Sequence, residues 1–284
     1  MIDMHMHSKC SDGEYSPEEL VDKVYRAGIK IFSLTDHDTA AGTEAAAAAA
    51  KKYKELVFIS GMELSTEHKG RSIHVLGYGA DTGSEDLAGF IEEQREKRRQ
   101  QKFVTLDYLK KRGVFLSLEE VEEKSGGETV GRPHFALAMV ERGYVSTVKE
   151  AFDKYLAGPE YKKIQLPRAG TAEAVSQIRG AGGIAVIAHP GQIKAEREWL
   201  EKELKDFISA GLQGIECHYG KHTGEETAYY LSLAEKYDLI HTGGSDFHGE
   251  KVKPDVKLGT GKDNMLYFTD YEYILESFRK VLKN

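Results

Sequence analysis

The stretch Ile2-Asp3-Met4-His5-Met6-His7 alternates apolar with polar side chains, the period of two that belongs to a β-strand. That alternation sets His5 and His7 on one face, aimed the same way, and packs Met4 and Met6 on the other. Ser16-Pro17-Glu18-Glu19 then supplies an N-cap, a first-turn proline and a capping-box glutamate, and Gly28 ends a helix whose apolar stripe is Leu20, Val21, Val24 and Ala27. A strand is read over Ile29 to Leu34, an Ala-rich helix from about Ala40 to Tyr53, and a third strand over Leu56 to Leu64. The order is βαβαβ.

Arg71 to Tyr78 reads as a fourth strand, and Gly183 to Ala188, Leu212 to Cys217 and Leu239 to Thr242 as three more, each of the three preceded by a helix-like segment. This alternation predicts a parallel sheet, and seven such units close into an α/β barrel with its site at the carboxyl ends of the strands. Between the fourth and fifth strands the chain reads as helical. Leu87 to Arg112 has helix-forming composition, Ser117-Leu118-Glu119-Glu120 is a second capping box, and helical stretches recur near Phe135 to Arg142 and Val148 to Leu156. The barrel is therefore assigned to residues 1–97 and 166–284, and a helical insertion capping the active site to 98–165. On the helix leading into it, Arg95, Lys97, Arg98, Arg99 and Lys102 read as a solvated face, with the wall of a phosphate cleft as the alternative.

Composition narrows the function. Lys and Arg number 39 against 46 Asp and Glu, a net charge of −7, which argues against binding of bulk duplex nucleic acid. Hydrophobic residues at 40% and charged residues at 30% sit near globular averages, so neither disorder nor a membrane class is indicated. No apolar run approaches the ~20 residues of a membrane span, and the opening residues do not have the pattern of a signal peptide. Cys10 and Cys217 form no paired spacing, which excludes a thiolate zinc cluster and points to a reducing compartment, the cytoplasm.

Histidines and carboxylates gather where the strands end: His5 and His7 after the first, Asp36, His37 and Asp38 after the second, Glu63 after the third. His74 lies on the fourth strand, His189 follows the fifth, and Asp246 and His248 follow the seventh. In a barrel those ends converge, and imidazole with carboxylate and no thiolate suits manganese, iron or zinc. His37 is read as a ligand, Asp36 as the group that holds an imidazole, Asp38 or Thr39 as the cap of the next helix, and Glu63 as a bridge between metals. Rival signatures fit less well. A metallo-β-lactamase needs Asp and His right after its second histidine, where Lys9 and Cys10 stand. An amidohydrolase bridges its metals with a carbamylated lysine, whereas the strand-end group here is Glu63, which favours phosphoester work.

These segments resemble the polymerase and histidinol phosphatase, or PHP, family of phosphoesterases. The resemblance rests on Asp3-Met4-His5-Met6-His7, Ser11-Asp12-Gly13, Leu34-Thr35-Asp36-His37-Asp38-Thr39, Gly61-Met62-Glu63-Leu64-Ser65, Ile73-His74-Val75-Leu76-Gly77, Ala188-His189-Pro190-Gly191 and Gly244-Ser245-Asp246-Phe247-His248. It implies a distorted, TIM-like (βα)7 barrel holding three divalent metal ions, manganese first, with iron or zinc as alternatives. The ligands it implies are His5, His7, Asp12, His37, Glu63, His74, His189, Asp246 and His248, with Glu63 bridging two metals. Gly131-Arg132-Pro133-His134 resembles the branch that hydrolyses nucleoside 3′,5′-bisphosphates and trims short RNA from its 5′ end, which implies that Arg132 and His134 grip a substrate phosphate. Gly220-Lys221-His222-Thr223 resembles the family's Gly-Arg-His segment, with a lysine that offers a point charge in place of a bidentate clamp.

The expected reaction is attack of a metal-bridged hydroxide on phosphorus, with Asp12, Asp246 and His248 as proton relays. Arg132, His134, Lys221, His222 and Arg168 form the expected second anion site, for a nucleotide or short RNA carrying two phosphates. A phosphatase like that for histidinol phosphate is the nearest rival, against which Arg132 and His134 argue. A metal-stabilised, non-catalytic module is a second, against which the filled ligand positions argue. His218 and His241 read as structural, which is also the alternative reading for His222; His68 reads as loop surface and Cys10 as a packing residue.

Overall fold

The computed structural model describes residues 1–125, 130–264, 266 and 268–279. Its main sheet holds β1 (Ile2–Asp3), β2 (Ile31–Leu34), β3 (Val57–His68), β4 (Arg71–Tyr78), β5 (Ala169–Gly170), β6 (Ile184–Ile187), β7 (Gly214–Tyr219) and β8 (Ile240–Gly244). The strands run β1-β2-β3-β4-β6-β7-β8, and β5, in the stretch read as purely helical, pairs with β3 beside that path. The two ends of the sheet meet through the residues that follow β1: Met4 N–H donates to Gly243 O at 2.9 Å and Asp246 N–H to His5 O at 2.8 Å. A parallel bridge joins Met6 to Phe247. The result is a seven-strand barrel.

The sheet is not parallel throughout, as the βα alternation predicted. β4 runs antiparallel to both β3 and β6, while the other successive strands of the path are parallel. The cause is local. Lys69 and Gly70, with φ of +50° and +76°, turn the chain straight from β3 into β4, and a two-residue turn of this hand joins only antiparallel strands. The reversal still delivers His74, which pairs across the ladder with Ser65, to the end of the barrel where Glu63 lies.

The helices are α1 (Pro17–Arg26), α2 (Thr43–Ala50), α3 (Glu85–Lys110), α4 (Leu118–Ser125), α5 (Arg132–Glu141), α6 (Val148–Ala151), α7 (Pro159–Lys162), α8 (Thr171–Gly180), α9 (Arg197–Ser209), α10 (Gly224–Lys236) and α11 (Tyr271–Ser277). Ser16 caps α1 in a full capping box with Glu19, and α1 buries the predicted stripe of Leu20, Val21 and Val24. α2 is shorter than expected and starts after Gly42, so neither Asp38 nor Thr39 caps it. α3 has 26 residues, about 39 Å of helix. Its first half buries Leu87, Phe90 and Ile91 in the barrel core, and its second half buries Tyr108 and Leu109 in a separate cluster with Phe135, Met139, Leu156 and Tyr161. One rigid element thus joins the two cores, and position 98 lies in its middle.

Two contacts hold the seam of the barrel. The buried Asp3 carboxylate accepts hydrogen bonds from Ser245 N at 2.9 Å, Ser245 Oγ at 2.6 Å and Gly259 N at 2.8 Å, so its burial leaves no unmet polar group. Gly244 packs on β1's continuation so tightly that an added Cβ would lie 2.2 Å from His5 Cβ and 2.6 Å from His5 N. Gly244→Ala is expected to lower the unfolding free energy by about 1–3 kcal/mol, read as a lower midpoint in urea at unchanged slope.

Candidate metal centre

Glu63 stands at the centre of the converging strand ends and is fully buried. Its two oxygens face different partners. Oε1 lies 2.9 Å from His74 Nδ1 and 2.9 Å from His189 Nε2. Oε2 lies 2.9 Å from His37 Nδ1, 3.3 Å from His7 Nε2 and 3.4 Å from His5 Nε2. Asp246 Oδ1 approaches His7 Nε2 and His248 Nδ1 at 3.4 Å each, and Asp12 Oδ1 lies 3.3 Å from His248 Nε2. The nine residues form four overlapping groups, His7-Asp12-His37-His248, His5-Glu63-His189, His5-His7-Asp246 and His37-Glu63-His74, within each of which the candidate donor atoms lie within 4.8 Å of one another.

The geometry fits divalent cations. Among the described residues, His5 Nε2, His7 Nε2, His37 Nδ1 and Glu63 Oε2 are buried without a hydrogen-bond partner, although unmet buried polar atoms are costly. Each of the four residues belongs to two of those groups, so cations held by the groups would relieve the unmet atoms, and a donor set of imidazole and carboxylate without thiolate is suited to manganese, iron or zinc. The protonation states agree. Burial opposes the charge of Glu63, yet His37, His74 and His5 hold its carboxyl well below the usual carboxylate range. Burial pulls the pKa values of His74 and His248 down to about 4, which keeps those rings neutral and able to ligate. His5 and His7 are exceptions: Glu216 and Glu63 outweigh the burial of His5 and hold it well above the usual imidazole range, and Asp246 and Glu63 push His7 up to about 9.

The groups that hold the donors in place were only partly visible beforehand. Glu216, on β7, was missed. Its Oε1 lies 2.9 Å from His5 Nδ1 and its Oε2 accepts the backbone N–H of His189 at 2.7 Å, so one carboxylate orients the His5 imidazole and fixes the main chain that carries His189. A charged residue inside the otherwise apolar Gly214-Ile215-Glu216-Cys217 was the available signal. Lys253 and Tyr219 were missed too: Lys253 Nζ and Tyr219 OH donate to Asp246 Oδ2 at 2.8 and 3.0 Å, which leaves Oδ1 to face the imidazoles. Asp36, expected to hold an imidazole, instead accepts Ser8 N–H at 2.7 Å, Ser8 Oγ–H at 2.7 Å and Ser11 Oγ–H at 2.6 Å. It fastens the loop that carries Asp12. Asp38, expected as a helix cap, accepts Ser65 N–H at 2.7 Å and pairs with Arg98, because the chain turns through φ +51° at Asp38 before α2 begins.

On the insertion side a cavity opens between α3, α5 and the segment before β5, lined by Arg98, Arg132, Arg168, Asp38, Phe135 and Tyr161 among others. Arg132 Nη1 donates to Leu156 O at 3.3 Å, and Arg168 Nη1 to Ser72 Oγ at 2.7 Å. His134 is buried and its Nδ1 accepts Gly131 N–H at 2.9 Å, which puts the ring proton on Nε2. Lys221 is exposed after β7, within electrostatic reach of Asp246 and Lys253. His222, expected in the anion site with a structural role as the alternative, takes the structural one. Its Nδ1 lies 3.0 Å from Cys217 O and its Nε2 accepts Gly191 N–H at 3.2 Å, so both ring nitrogens serve the backbone and none remains for a substrate. The basic run divides: Arg98 and Lys102 are mostly buried, whereas Arg99 is exposed and pairs with Glu92 and Glu96. His218 and His241 stack on Phe268 and Tyr273, and His68 pairs with Glu203 at 2.8 Å.

Comparison with known proteins meets this geometry. The PHP domain model matches residues 3–216. A 5′-3′ exoribonuclease of Haemophilus influenzae is 34% identical over 246 residues, covering 87% of this chain and 89% of that protein. A 3′,5′-nucleoside bisphosphate phosphatase of Chromobacterium violaceum is 35% identical over 256 residues, 87% of each chain. Among solved structures, a candidate metal-dependent phosphoesterase from Bifidobacterium adolescentis superposes with a TM-score of 0.83 at 29% identity, covering 98% of this chain and 96% of that one. With His5, His7, His37, Glu63, His74 and His189 inside the matched region, and Asp246 and His248 brought to them by the strand beyond it, the chain belongs to the PHP domain family.

Proposed function

We propose that this chain is a metal-dependent phosphoric ester hydrolase that removes the 3′-phosphate of nucleoside 3′,5′-bisphosphates and trims short 5′-phosphorylated RNA from its 5′ end. The observation that carries this reading is the division of Glu63, with two imidazoles on one oxygen and three on the other, beside a cavity lined by three arginines. A carboxylate flanked in this way suits a bridge, and the nine donors suffice for three cations, with manganese the first choice. Such cations supply Lewis acidity toward phosphate oxygens and lower the pKa of bound water. Among the described residues no helix is long and apolar enough to cross a membrane, and the two cysteines form no disulfide, in keeping with a cytoplasmic enzyme.

The chain's own residues divide the remaining work. His5, His7, His37, His74, His189 and His248, with Asp12, Glu63 and Asp246, hold the centre. Asp12, Asp246 and His248 hold and pass the proton, with Asp12 Oδ1 3.3 Å from His248 Nε2. Arg132 and Arg168 bind the substrate's second phosphate, and Arg98, for which sequence reading gives the wall of a phosphate cleft as the alternative to a solvated face, joins them from α3. His134 Nε2–H and Lys221 add donors on either side of the centre. A terminal phosphate is a dianion, and several guanidiniums in one cavity match that charge. The insertion, 98–165, acts as the cap that supplies Arg98, Arg132 and His134 to this second site, and the barrel supplies Arg168 and Lys221.

The decisive experiment titrates Mn2+ into the full chain and compares phosphate release from a nucleoside 3′,5′-bisphosphate with that from a nucleoside monophosphate. Selective turnover of the bisphosphate is expected. Equal turnover of both removes the second anion site, and no turnover of either removes the enzyme reading. Arg132→Gln is expected to lower kcat/KM on the bisphosphate by about 1.5–3 kcal/mol, the worth of a hydrogen bond to a charged group, as steady-state kinetics would show. Glu216→Gln is expected to weaken metal affinity by about 10–100-fold, measured by competition with a chelator while circular dichroism reports an unchanged fold.

A further inference from the structure

A second groove abuts the same centre. One wall is formed by Cys10, His37 and Thr39, and the other by Arg95, Arg98, Arg99 and Lys102 of α3, with Glu122 as the single carboxylate among its lining residues. Positions 95, 98, 99 and 102 are i, i+3, i+4 and i+7, one continuous face of a helix. Arg98 and Lys102 also line the insertion cavity, so the two chambers share a ridge, and His37 places the groove against the metal centre. The outer cations are held by their own helix: Arg95 Nη1 lies 3.3 Å from Glu92, and Arg99 Nε lies 2.9 Å from Glu96. Surface pairs of this kind are worth little and exchange readily for phosphate.

Substrate chemistry explains why one centre needs two chambers. In a nucleoside 3′,5′-bisphosphate, the 3′-phosphorus occupies the centre and the 5′-phosphate fills the insertion cavity. In RNA the same phosphorus carries one further bond, to the 5′-oxygen of the next nucleotide, so the rest of the strand must leave the centre by another route. Water adds to phosphorus, the P–O3′ bond breaks and the 3′-oxygen takes up a proton. The departing strand keeps the phosphate as a new 5′-terminus. Resting on the proposed function, we infer that the groove along Arg95, Arg99 and Lys102 is the track for the RNA strand downstream of the cleaved bond, read through its backbone charge and not its bases.

The test uses the Mn2+-loaded full chain and the double variant Arg95→Gln/Arg99→Gln, assayed on a nucleoside 3′,5′-bisphosphate and on 5′-phosphorylated oligoribonucleotides of increasing length. The double variant is expected to lose roughly tenfold in kcat/KM on the longer oligonucleotides, through KM, and to lower the log–log salt slope by about 1.4, the value for two contacts to a single strand. Its bisphosphate turnover, which also reports the fold, should stay within about twofold, since no downstream phosphate is present to bind. Arg95→Lys/Arg99→Lys should restore both the length dependence and the salt slope. Unchanged oligonucleotide kinetics, an equal loss on both substrates, or a lysine pair that restores neither property would overturn the track while leaving the phosphatase reading intact. Failure of the unaltered protein to hydrolyse the bisphosphate would remove that reading and the track with it.

Discussion

A carboxylate with no exposure to water sets the terms for the rest of this protein. Glu63 lies in the barrel mouth among five imidazoles, and an isolated charge so placed costs several kcal/mol in desolvation. It is tolerable only because positive or polar groups surround it on every side. Those groups come from β2, β4, β6 and the segment after β1, and the strands must end at one level for their side chains to reach. The demand of one buried charge thereby constrains the closure of the whole sheet.

The same economy governs the surrounding shell. Glu216 serves the His5 imidazole and the backbone of His189, and Asp3, Asp36 and Asp38 each fasten a loop that carries donors. None of the four is a donor in the clusters around Glu63. Each accepts at least two hydrogen bonds or ion pairs, so buried carboxylates help the apolar packing of Met6 and Phe247 hold the loops at the mouth. This arrangement preorganises the site and makes it depend on residues that never touch a reacting atom.

α3 carries the second theme. Because it is one uninterrupted helix with its ends in two cores, its middle faces neither, and there the cationic stripe borders both chambers. Bulk electrostatics run the other way, since the chain is net negative. Exposed cations elsewhere also pair with carboxylates, as at Lys30 with Glu55, Lys149 with Asp153 and Lys236 with Glu201, so the run on α3 stands out by its clustering on one helix face and not by an overall positive charge.

Local order was legible in the residues themselves. The alternation Ile2 to His7, the capping boxes of α1 and of Ser117 with Glu120 before α4, the seven strand segments and the nine candidate donors follow from spacing, side-chain chemistry and family likeness, which act over a few residues at a time. What the fold alone decided are the pairings between distant segments. β4 reverses because Lys69-Gly70 turns too tightly for a crossover, Asp36 is taken by Ser8 and Ser11, His222 gives both nitrogens to the backbone, and Glu216 reaches His5 across 211 positions. Which of several competing partners a polar side chain meets is settled by the closed sheet, because a hydrogen bond depends on separation in space to within a few tenths of an ångström, and no spacing along the chain carries that information.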